Sequence, residues 1–354
     1  MSLPPGSTIG IVGGGQLGRM LAVAAAQLGY RCHIFAPEGE APAVDVSAAA
    51  TRARYDDIAA LARFADAVDV VTYEFENVDA GPLAELALKT RIRPSVKALE
   101  LTQDRLFEKE FAASLGGRPA PYIAVDSLAD LETAIAELGT PAILKTRRMG
   151  YDGKGQARIG SPADAEAAWT AIGGRPSVLE GFVRFEAEFS IILARGADGA
   201  TVAYDPPDNW HSEGILATST LPARDIVLAQ RGEAVALAER VAAALDYVGV
   251  LTLEFFATAD GPVLNEMAPR VHNSGHWTIE GTVCSQFENH IRAICGLPLG
   301  STALVRPNVE MRNLIGADAK DWPTILADPS VHLHLYGKAV ARPGRKMGHV
   351  TRIW

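Results

Sequence analysis

The chain has 354 residues, of which 48% are hydrophobic and 21% charged, and its formal net charge is −9. This length predicts two or three domains, and the acidic balance argues against nucleic acid or an anionic membrane surface as a partner. The three cysteines have no C-x-x-C spacing and no apolar run reaches 18 residues, so we expect a cytoplasmic protein with reduced thiols.

The N-terminal region, residues 1–98, alternates short apolar strands with helices. Strands are predicted at 8–12, 33–35 and 68–73, which indicates a parallel sheet covered by helices on both faces. The turn at 13–18 matches G-x-G-x-x-G, so a nicotinamide-dependent oxidoreductase is one alternative. The acid expected after the second strand is missing, because Phe35 is followed by Ala36 and Pro37. A tight turn for helix packing explains the same glycines.

The third strand ends in polar residues that include Glu74 and Glu76. Side chains at the carboxyl end of a parallel strand face the ligand crevice in such sheets, so Glu74 is a candidate binding residue. A solvated strand end is the alternative interpretation. Pro94 marks a boundary, after which one helix is predicted from Ser95 to Leu115.

The most informative segment is 142–156, within residues 99–178. Its apolar start predicts a buried strand that ends in Lys145. Gly150, Gly153 and Gly155 follow with Lys154 among them, and glycines let backbone N–H groups approach an anion closely. A triphosphate needs this combination of donors and cations, although no Walker loop is present. A solvated basic hairpin is the alternative, and helices capped at 127 and 161 complete a small α+β domain.

The remaining residues, 179–354, begin with predicted strands at 186–193 and 201–204. Glu180 and Glu188 are candidate acceptors for ribose hydroxyls or an adenine amino group, although surface strands also carry glutamates. Residues 209–211 and 214–216 are predicted to lie in a loop. A long helix is predicted at 232–247.

Two strands, 250–256 and 262–267, are joined by a hairpin signal at 259–261. If the loop has three residues, Thr258 pairs with Pro262, and counting back places Glu254 opposite Glu266. Two carboxylates directly across an antiparallel pair repel each other, and a divalent cation between them removes the conflict. Mg²⁺ prefers one or two carboxylates plus phosphate oxygens, so this pair predicts a nucleotide site. A register slip would instead turn one glutamate to solvent.

Two basic segments follow the hairpin. Arg270, His272 and His276 lie within eight positions, and anion or base recognition is favoured over zinc hydrolysis because no H-E-x-x-H motif is present. Lys338 and Arg345 fall in a glycine-punctuated basic stretch that predicts a phosphate site in this acidic protein.

Together these segments make the chain resemble the ATP-grasp ligases, and within them the purine-pathway enzymes that carboxylate aminoimidazole ribonucleotide. Six segments in the same order, spread over nearly the whole chain, support the resemblance: 9–20, 72–78, 103–105, 145–156, 265–277 and 342–349.

The resemblance implies an α/β fold of three domains. These are a Rossmann-like parallel-sheet domain (1–98), a small ATP-grasp domain with a glycine-rich lid loop (99–178), and a C-terminal ATP-grasp domain (179–354). It also implies that ATP phosphorylates bicarbonate, and that carboxyphosphate or its CO₂ then carboxylates the amine, with release of ADP and phosphate. A cytoplasmic homodimer is implied as well.

The same resemblance assigns roles by position. ATP would contact Arg105, Lys145, Gly150, Tyr151, Asp152, Gly153, Lys154, Gly155, Gln156, Glu180, Gly181, Phe182, Val183, Glu188, His211, Asn265 and Glu266. Two Mg²⁺ ions bridged by the triphosphate would be held by Glu254 and Glu266. The ribonucleotide would contact Glu74, Tyr151, Asp152, Lys154, Arg270, His272, Lys338 and Arg345, and the catalytic residues would be Tyr151, Asp152, Lys154 and Arg270.

Alternatives to this assignment differ in class. Sibling ATP-grasp enzymes, such as a formate-dependent transformylase or a biotin carboxylase, differ in acceptor, and the segment 270–277 argues against them. The nicotinamide oxidoreductase and a nonenzymatic nucleotide-sensing module are the other two, and the paired glutamates with two lysines weigh against the sensing module.

Overall fold

A computed structural model describes residues 2–150 and 155–354. The candidate residues Tyr151, Asp152, Gly153 and Lys154 lie outside the described residues. Within the described ranges the strands form three sheets, of four, nine and four strands.

The N-terminal sheet is parallel, with strand order β3-β2-β1-β4. The central strand is buried because helices cover both faces, and Ile9, Ile11 and Val12 are each 0% exposed. The elements are β1 (Thr8–Val12), α1 (Gln16–Gln27), β2 (Arg31–Phe35), β3 (Ala49–Thr51), α2 (Ile58–Asp66), β4 (Val70–Tyr73), α3 (Ala80–Ala87), α4 (Val96–Thr102) and α5 (Arg105–Ser114).

The single helix predicted from Ser95 to Leu115 is wrong, because the chain forms two helices, α4 and α5. Asp104 causes the break: it adopts an extended backbone and its side chain accepts the N–H of Leu106 as the N-cap of α5. The break places Arg105 at the first position of α5.

The small sheet is antiparallel, with strand order β5-β8-β6-β7. Its strands and helices are β5 (Tyr122–Val125), α6 (Leu128–Leu138), β6 (Ala142–Thr146), β7 (Gln156–Ile159), α7 (Ala165–Ala171) and β8 (Ser177–Gly181). Because β8 pairs with both β5 and β6, the small sheet extends to Gly181 and the predicted boundary at residue 178 falls inside this strand.

The remaining residues form the nine-stranded sheet and its flanking helices. The strand order is β14-β13-β9-β11-β12-β15-β17-β16, with β10 beside β9. Its elements and flanking helices are β9 (Ala187–Arg195), β10 (Thr201–Ala203), β11 (Asp208–Ser212), β12 (Ile215–Leu221), α8 (Asp225–Ala244), β13 (Gly249–Thr258), β14 (Gly261–Ala268), α9 (Thr278–Gly281), α10 (Gln286–Cys295), β15 (Val309–Ile315), α11 (Trp322–Leu326), β16 (Val331–Leu335) and β17 (Lys346–Ile353).

The loop predicted for 209–216 is wrong, since these residues form the antiparallel hairpin of β11 and β12. The polar residues in this segment hid the strand pattern. In the structure β11 also pairs with β9, and β12 also pairs with β15. The hairpin brings His211 into the sheet.

One hydrophobic core joins the N-terminal sheet to the nine-stranded sheet, and α1 and α10 both contribute to it. A buried histidine strengthens this junction: the Val250 N–H donates to His290 Nδ1 over 3.1 Å, and His290 Nε2 lies 2.8 Å from Thr72 Oγ1. Since Nδ1 accepts, Nε2 carries the proton and donates to the threonine of β4. The carboxyl end of β4 is thereby fixed against the large sheet.

None of the helices in the described part of the chain is both long enough and apolar enough to span a membrane.

Candidate active site

A cleft of about 640 Å³ lies where the three sheets meet. Several candidate residues from the sequence line it together: Glu74, Arg105, Gly150, Glu254, Glu266, Arg270, His272, Lys338 and Arg345. These residues are separated by up to 271 positions in the chain, so the fold assembles one site from all three regions.

Glu74 occupies the N-terminus of α1. Its carboxylate accepts the N–H groups of Gly15 (2.8 Å) and Gly18 (3.2 Å). A Cβ at Gly13, where φ is +112°, would lie 2.6 Å from Glu74 Cγ. The glycines therefore make room for a carboxylate from the same chain, at the position where a dinucleotide-binding fold places a pyrophosphate. This occupancy argues against the nicotinamide alternative.

Lys145 belongs to a buried group with Glu180 and Lys109. Lys145 Nζ donates to Glu180 Oε2 over 2.8 Å, and Lys109 Nζ lies 3.0 Å from Oε1 in an ion pair without hydrogen-bond alignment. Burial alone would raise the pKa of Glu180, but the two lysines lower it to about 2. Two cations share one carboxylate here, so the group keeps an excess positive charge that an anion would balance.

The carboxylate of Glu180 is thus taken by lysines, and any adenosine contact at this position would come from backbone atoms. Lys109 was not among the candidates, because one lysine between Glu108 and Glu110 on an amphipathic helix resembles a solvated residue. In the structure its side chain is only 1% exposed.

Arg147 and Arg148, at the exit of β6, contact Asp104. Arg147 forms two hydrogen bonds to this carboxylate, of 2.9 and 2.8 Å, and Arg148 Nε lies 3.4 Å from it. Arg147 is thus paired with Asp104, the N-cap of α5, and Arg148 lies near the same carboxylate, so this cluster, like the Lys109–Glu180–Lys145 group, has two cations for one carboxylate.

The other positions assigned to the glycine loop and the following strand lie around β6, β7 and β8. Gly155 O accepts the Thr146 N–H, Gln156 pairs with Lys145, and the Gly181 N–H donates to Pro121 O. Phe182 is 46% exposed, and Val183 is half-buried beside it.

Glu188 and His211 form a second pair on the large sheet, with His211 Nδ1 2.9 Å from Glu188 Oε2. Burial alone would lower the pKa of His211, but Glu188 and Glu254 outweigh it and the net pKa is raised. The sequence assigned both residues to the nucleotide, and the structure brings them together on adjacent strands, β9 and β11.

The register of β13 and β14 places Glu254 directly opposite Glu266, as predicted. The predicted three-residue loop is wrong, because Thr258 pairs with Gly261 across a two-residue turn. A bulge at Asn265 compensates for this difference and restores the glutamate pairing.

The two glutamates differ in ionisation. Burial and then the charge of Glu266 raise the pKa of Glu254 from 4.5 to about 7. Burial would also raise the pKa of Glu266, but Arg105 and Lys145 lower it overall. Arg105 Nη1 lies 3.1 Å from Glu266 Oε2. Glu266 is therefore the carboxylate that ionises readily, whereas ionising Glu254 costs free energy because it is buried beside Glu266.

The bulged residue Asn265 has a buried Oδ1 without a hydrogen-bond partner among residues 2–150 and 155–354. This oxygen and the two facing carboxylates supply the hard oxygen donors that Mg²⁺ prefers. No group of three or more histidine, cysteine or acidic side chains in the described ranges is arranged to hold a metal ion. The residues therefore fit a cation that takes its remaining ligands from phosphates and water, not a cation held by protein ligands alone.

Arg270 enters the cleft after β14. Its Nε donates to Glu76 Oε2, and its Nη1 donates to the Val271 carbonyl over 3.1 Å. Next to it, His272 Nε2 lies 3.1 Å from Glu254 Oε1. Glu76, three residues after the end of β4, thus positions Arg270, a role that the sequence did not predict.

Lys338 and Arg345 lie together at the far side of the cleft. Burial and the neighbouring Arg345 lower the pKa of Lys338 to about 8. Glu40 of the N-terminal region fixes this segment, since its carboxylate accepts the Ala339 N–H (2.6 Å) and lies 3.4 Å from Arg345 Nη2. Two adjacent cations at this edge supply the positive charge that a phosphate group requires.

Three family models match the chain. A ribonucleotide synthetase preATP-grasp domain matches residues 6–103, an ATP-grasp domain matches 110–287, and a phosphoribosylaminoimidazole carboxylase C-terminal domain matches 310–353.

Known proteins are similar over almost the full chain. The N5-carboxyaminoimidazole ribonucleotide synthase of Brucella melitensis is 52% identical over 99% of this chain and 98% of its own length. The crystal structure of the corresponding synthetase from Thermus thermophilus is 47% identical, with a TM-score of 0.91, covering 98% of this chain and 93% of that one. An Aspergillus clavatus enzyme, in complex with ADP and 5-aminoimidazole ribonucleotide, is 32% identical with a TM-score of 0.91, over 99% and 94% of the two chains.

Proposed function

The chain belongs to the N5-carboxyaminoimidazole ribonucleotide synthase family of ATP-grasp ligases, and we propose that it carboxylates 5-aminoimidazole ribonucleotide in purine biosynthesis. ATP and bicarbonate are consumed, and N5-carboxyaminoimidazole ribonucleotide, ADP and phosphate are released. One observation supports this most strongly: the facing glutamates of β13 and β14 share a single cleft with Arg270, Lys338 and Arg345.

The triphosphate binds between the small sheet and the large sheet. Lys145 and Arg105 neutralise its charge, and the excess positive charge of the Lys109–Glu180–Lys145 group favours an anion there. Glu188 with His211 and the backbone of Glu180, Gly181, Phe182 and Val183 hold the adenosine. Gly150, Tyr151, Asp152, Gly153, Lys154, Gly155 and Gln156 complete the phosphate contacts.

Glu254, Glu266 and the Oδ1 of Asn265 would hold Mg²⁺ together with the triphosphate. When bound, the cation would supply positive charge that offsets the charge of the phosphates. The protein's own contribution is to keep a pair of carboxylates that repel each other when the cation is absent. That repulsion favours binding.

The ribonucleotide binds on the opposite side of the cleft. Lys338 and Arg345 take its phosphate, and Glu74, Arg270 and His272 surround the aminoimidazole, together with Tyr151, Asp152 and Lys154. Arg270, held by Glu76, presents a fixed cation to the carboxyl group that is transferred.

The chemistry has two displacements. A bicarbonate oxygen attacks the γ-phosphorus, so that carboxyphosphate forms and ADP leaves. The amine nitrogen then attacks the carboxyl carbon, or the CO₂ released from it, and phosphate leaves with one of the bicarbonate oxygens. Bicarbonate is a poor electrophile, and phosphorylation supplies the leaving group; the site must exclude water because carboxyphosphate hydrolyses readily. Catalytic roles fall to Arg270 and to Tyr151, Asp152 and Lys154.

The direct test measures ADP formation with ATP, Mg²⁺ and bicarbonate, with and without aminoimidazole ribonucleotide. We expect the ribonucleotide to stimulate ADP formation and carboxylated product to form in equal amount. Glu266→Gln should abolish turnover, whereas Glu310→Gln, a matched change at an exposed position of β15, should not. A requirement for formate or a nicotinamide in place of bicarbonate would contradict the proposal.

We also propose a homodimer and a cytoplasmic location, which light scattering and cell fractionation test.

A further inference from the structure

A line of buried polar side chains runs through the large sheet to the ring of His272. Ser219 Oγ donates to Asn209 Oδ1 (2.7 Å), and Asn209 Nδ2 donates to Ser190 Oγ (3.2 Å). Ser190 Oγ lies 2.7 Å from Ser274 Oγ, which lies 2.8 Å from His272 Nδ1. Ser190, Ser219 and Ser274 are each 0% exposed and Asn209 is 5% exposed. Burying polar side chains costs free energy unless they are hydrogen-bonded, so this line of bonded groups behind one ring indicates that the orientation of the ring matters.

The direction of these hydrogen bonds follows from one backbone contact. The Ser274 N–H donates to His272 Nδ1 over 3.3 Å, as in an N-cap, so Nδ1 carries no proton. The Ser274 hydroxyl must then donate to the same nitrogen. Because that hydroxyl has only one proton, Ser190 must donate to Ser274, in agreement with the amide of Asn209 donating to Ser190.

The other ring nitrogen therefore carries the proton. His272 Nε2 lies 3.1 Å from Glu254 Oε1, where an N–H is attracted to the carboxylate and a bare lone pair would be repelled. Ser190 and Glu254 are directly paired across β9 and β13, so their side chains lie on the same face of the sheet.

The backbone of His272 is fixed independently. The Gln286 side chain accepts the His272 N–H (2.9 Å) and donates to the His272 carbonyl (2.7 Å), and Gln286 is 0% exposed. A reciprocal amide contact of this kind sets the position of the residue, while Ser274 sets the orientation of its ring.

We propose that Ser274, backed by Ser190, and Gln286 are positioning residues that hold His272 as a permanent Nε2–H donor. His272 then gives a hydrogen bond to an oxygen, first of Glu254 and then of the bound substrate, and does not act as the base that deprotonates the amine. The second half of this inference rests on the proposed carboxylation, whereas the tautomer does not.

The first measurement uses the free full-length chain with ¹⁵N-labelled histidine at neutral pH. Long-range ¹H–¹⁵N correlation spectra distinguish a protonated ring nitrogen from a bare one, and the signals lost in His272→Gln identify the residue. We expect a protonated Nε2 and a bare Nδ1. A protonated Nδ1 would overturn the proposal, and this test needs no positioning variant to fold.

The second measurement removes the hydroxyl. In Ser274→Ala we expect His272 to show a mixture of tautomers and kcat to fall about ten-fold or more, the scale seen for residues that orient a functional group. The KM for ATP should change by less than about two-fold, and Ser274→Thr should restore kcat. Ser177→Ala, which removes another fully buried hydroxyl in the small sheet, should leave the His272 signals unchanged.

The two proposals fail differently. Full kcat in Ser274→Ala, together with unchanged His272 signals, would overturn the positioning role and leave the carboxylation standing. A protonated Nε2 in a chain that does not carboxylate the ribonucleotide would overturn the proposed function and leave the tautomer standing.

Discussion

Replacing Glu254 by Gln keeps the size of the side chain and removes its charge, so it measures the cost of burying the Glu254 carboxylate beside Glu266. In the absence of a cation, the folded protein binds the Glu254 proton more tightly than the unfolded chain, because its pKa rises from 4.5 to about 7. Between these values the unfolded chain has lost the proton and the folded protein retains it. Stability therefore falls as pH rises from 4.5 to about 7 and is constant above that range.

The size of this loss follows from the same pKa values. The pKa of Glu254 rises from 4.5 to about 7, and at 1.36 kcal/mol for each unit of pKa the free energy of unfolding falls by about 3 kcal/mol. With an unfolding entropy of about 2.1 cal/mol/K per residue, the whole chain loses about 4 °C in melting temperature. Glu254→Gln has no carboxylate to ionise at this position, so it avoids this loss of stability. Between pH 4.5 and pH 8 its melting temperature should therefore rise relative to that of the parent by about 4 °C.

Differential scanning calorimetry in EDTA across that pH range measures the effect. Glu310→Gln serves as control and should follow the parent. Adding Mg²⁺ and ATP should then stabilise the parent and not Glu254→Gln, because the parent alone keeps both carboxylates. Parallel melting curves for parent and Glu254→Gln at every pH would refute the conclusion that burial and the charge of Glu266 raise the pKa of Glu254.

Three further predictions concern charges elsewhere in the molecule. Lys145→Met should weaken ATP binding by about 1.5 to 3 kcal/mol, measured by calorimetric titration, while Lys97→Met at an exposed position of α4 should not. Equal affinity for both variants would contradict the role of Lys145. The KM for the ribonucleotide should rise above pH 8 as Lys338 loses its proton, and Lys338→Arg should flatten this rise; a flat profile in the parent would contradict a phosphate contact. Burial lowers the pKa of His290 to about 3, so the stability that the neutral ring contributes is present above pH 6.5 and is lost as pH falls toward 3. His290→Gln should therefore lose less stability than the parent on acidification. An equal loss in both proteins would contradict the lowered pKa.

The opposed glutamates show how far the sequence can predict this site. The hairpin and the pairing of Glu254 with Glu266 follow from the strand pattern and the turn residues. The loop length does not: the turn is one residue shorter than predicted, and a bulge at Asn265 cancels the error. Bulges depend on tertiary packing, and nothing local to Asn265 indicates one.

Residues that support the site were harder to predict than residues that line the cleft. Lys109 lies within a helix among acidic neighbours, and its burial depends on β8 folding over it. Glu40 acts on a segment almost 300 positions away, and Glu76 on Arg270, which follows it by 194 positions. Single-sequence patterns report local periodicity and strand ends, and pairings at such separations leave no local signal.

The central claim is that this chain activates bicarbonate with ATP and passes its carbon to the ribonucleotide. The most direct measurement supplies ¹⁸O-labelled bicarbonate with ATP, Mg²⁺ and 5-aminoimidazole ribonucleotide, and follows the label into inorganic phosphate by mass spectrometry. We expect one labelled oxygen in phosphate for each carboxylated product formed. Unlabelled phosphate during product formation would contradict the claim.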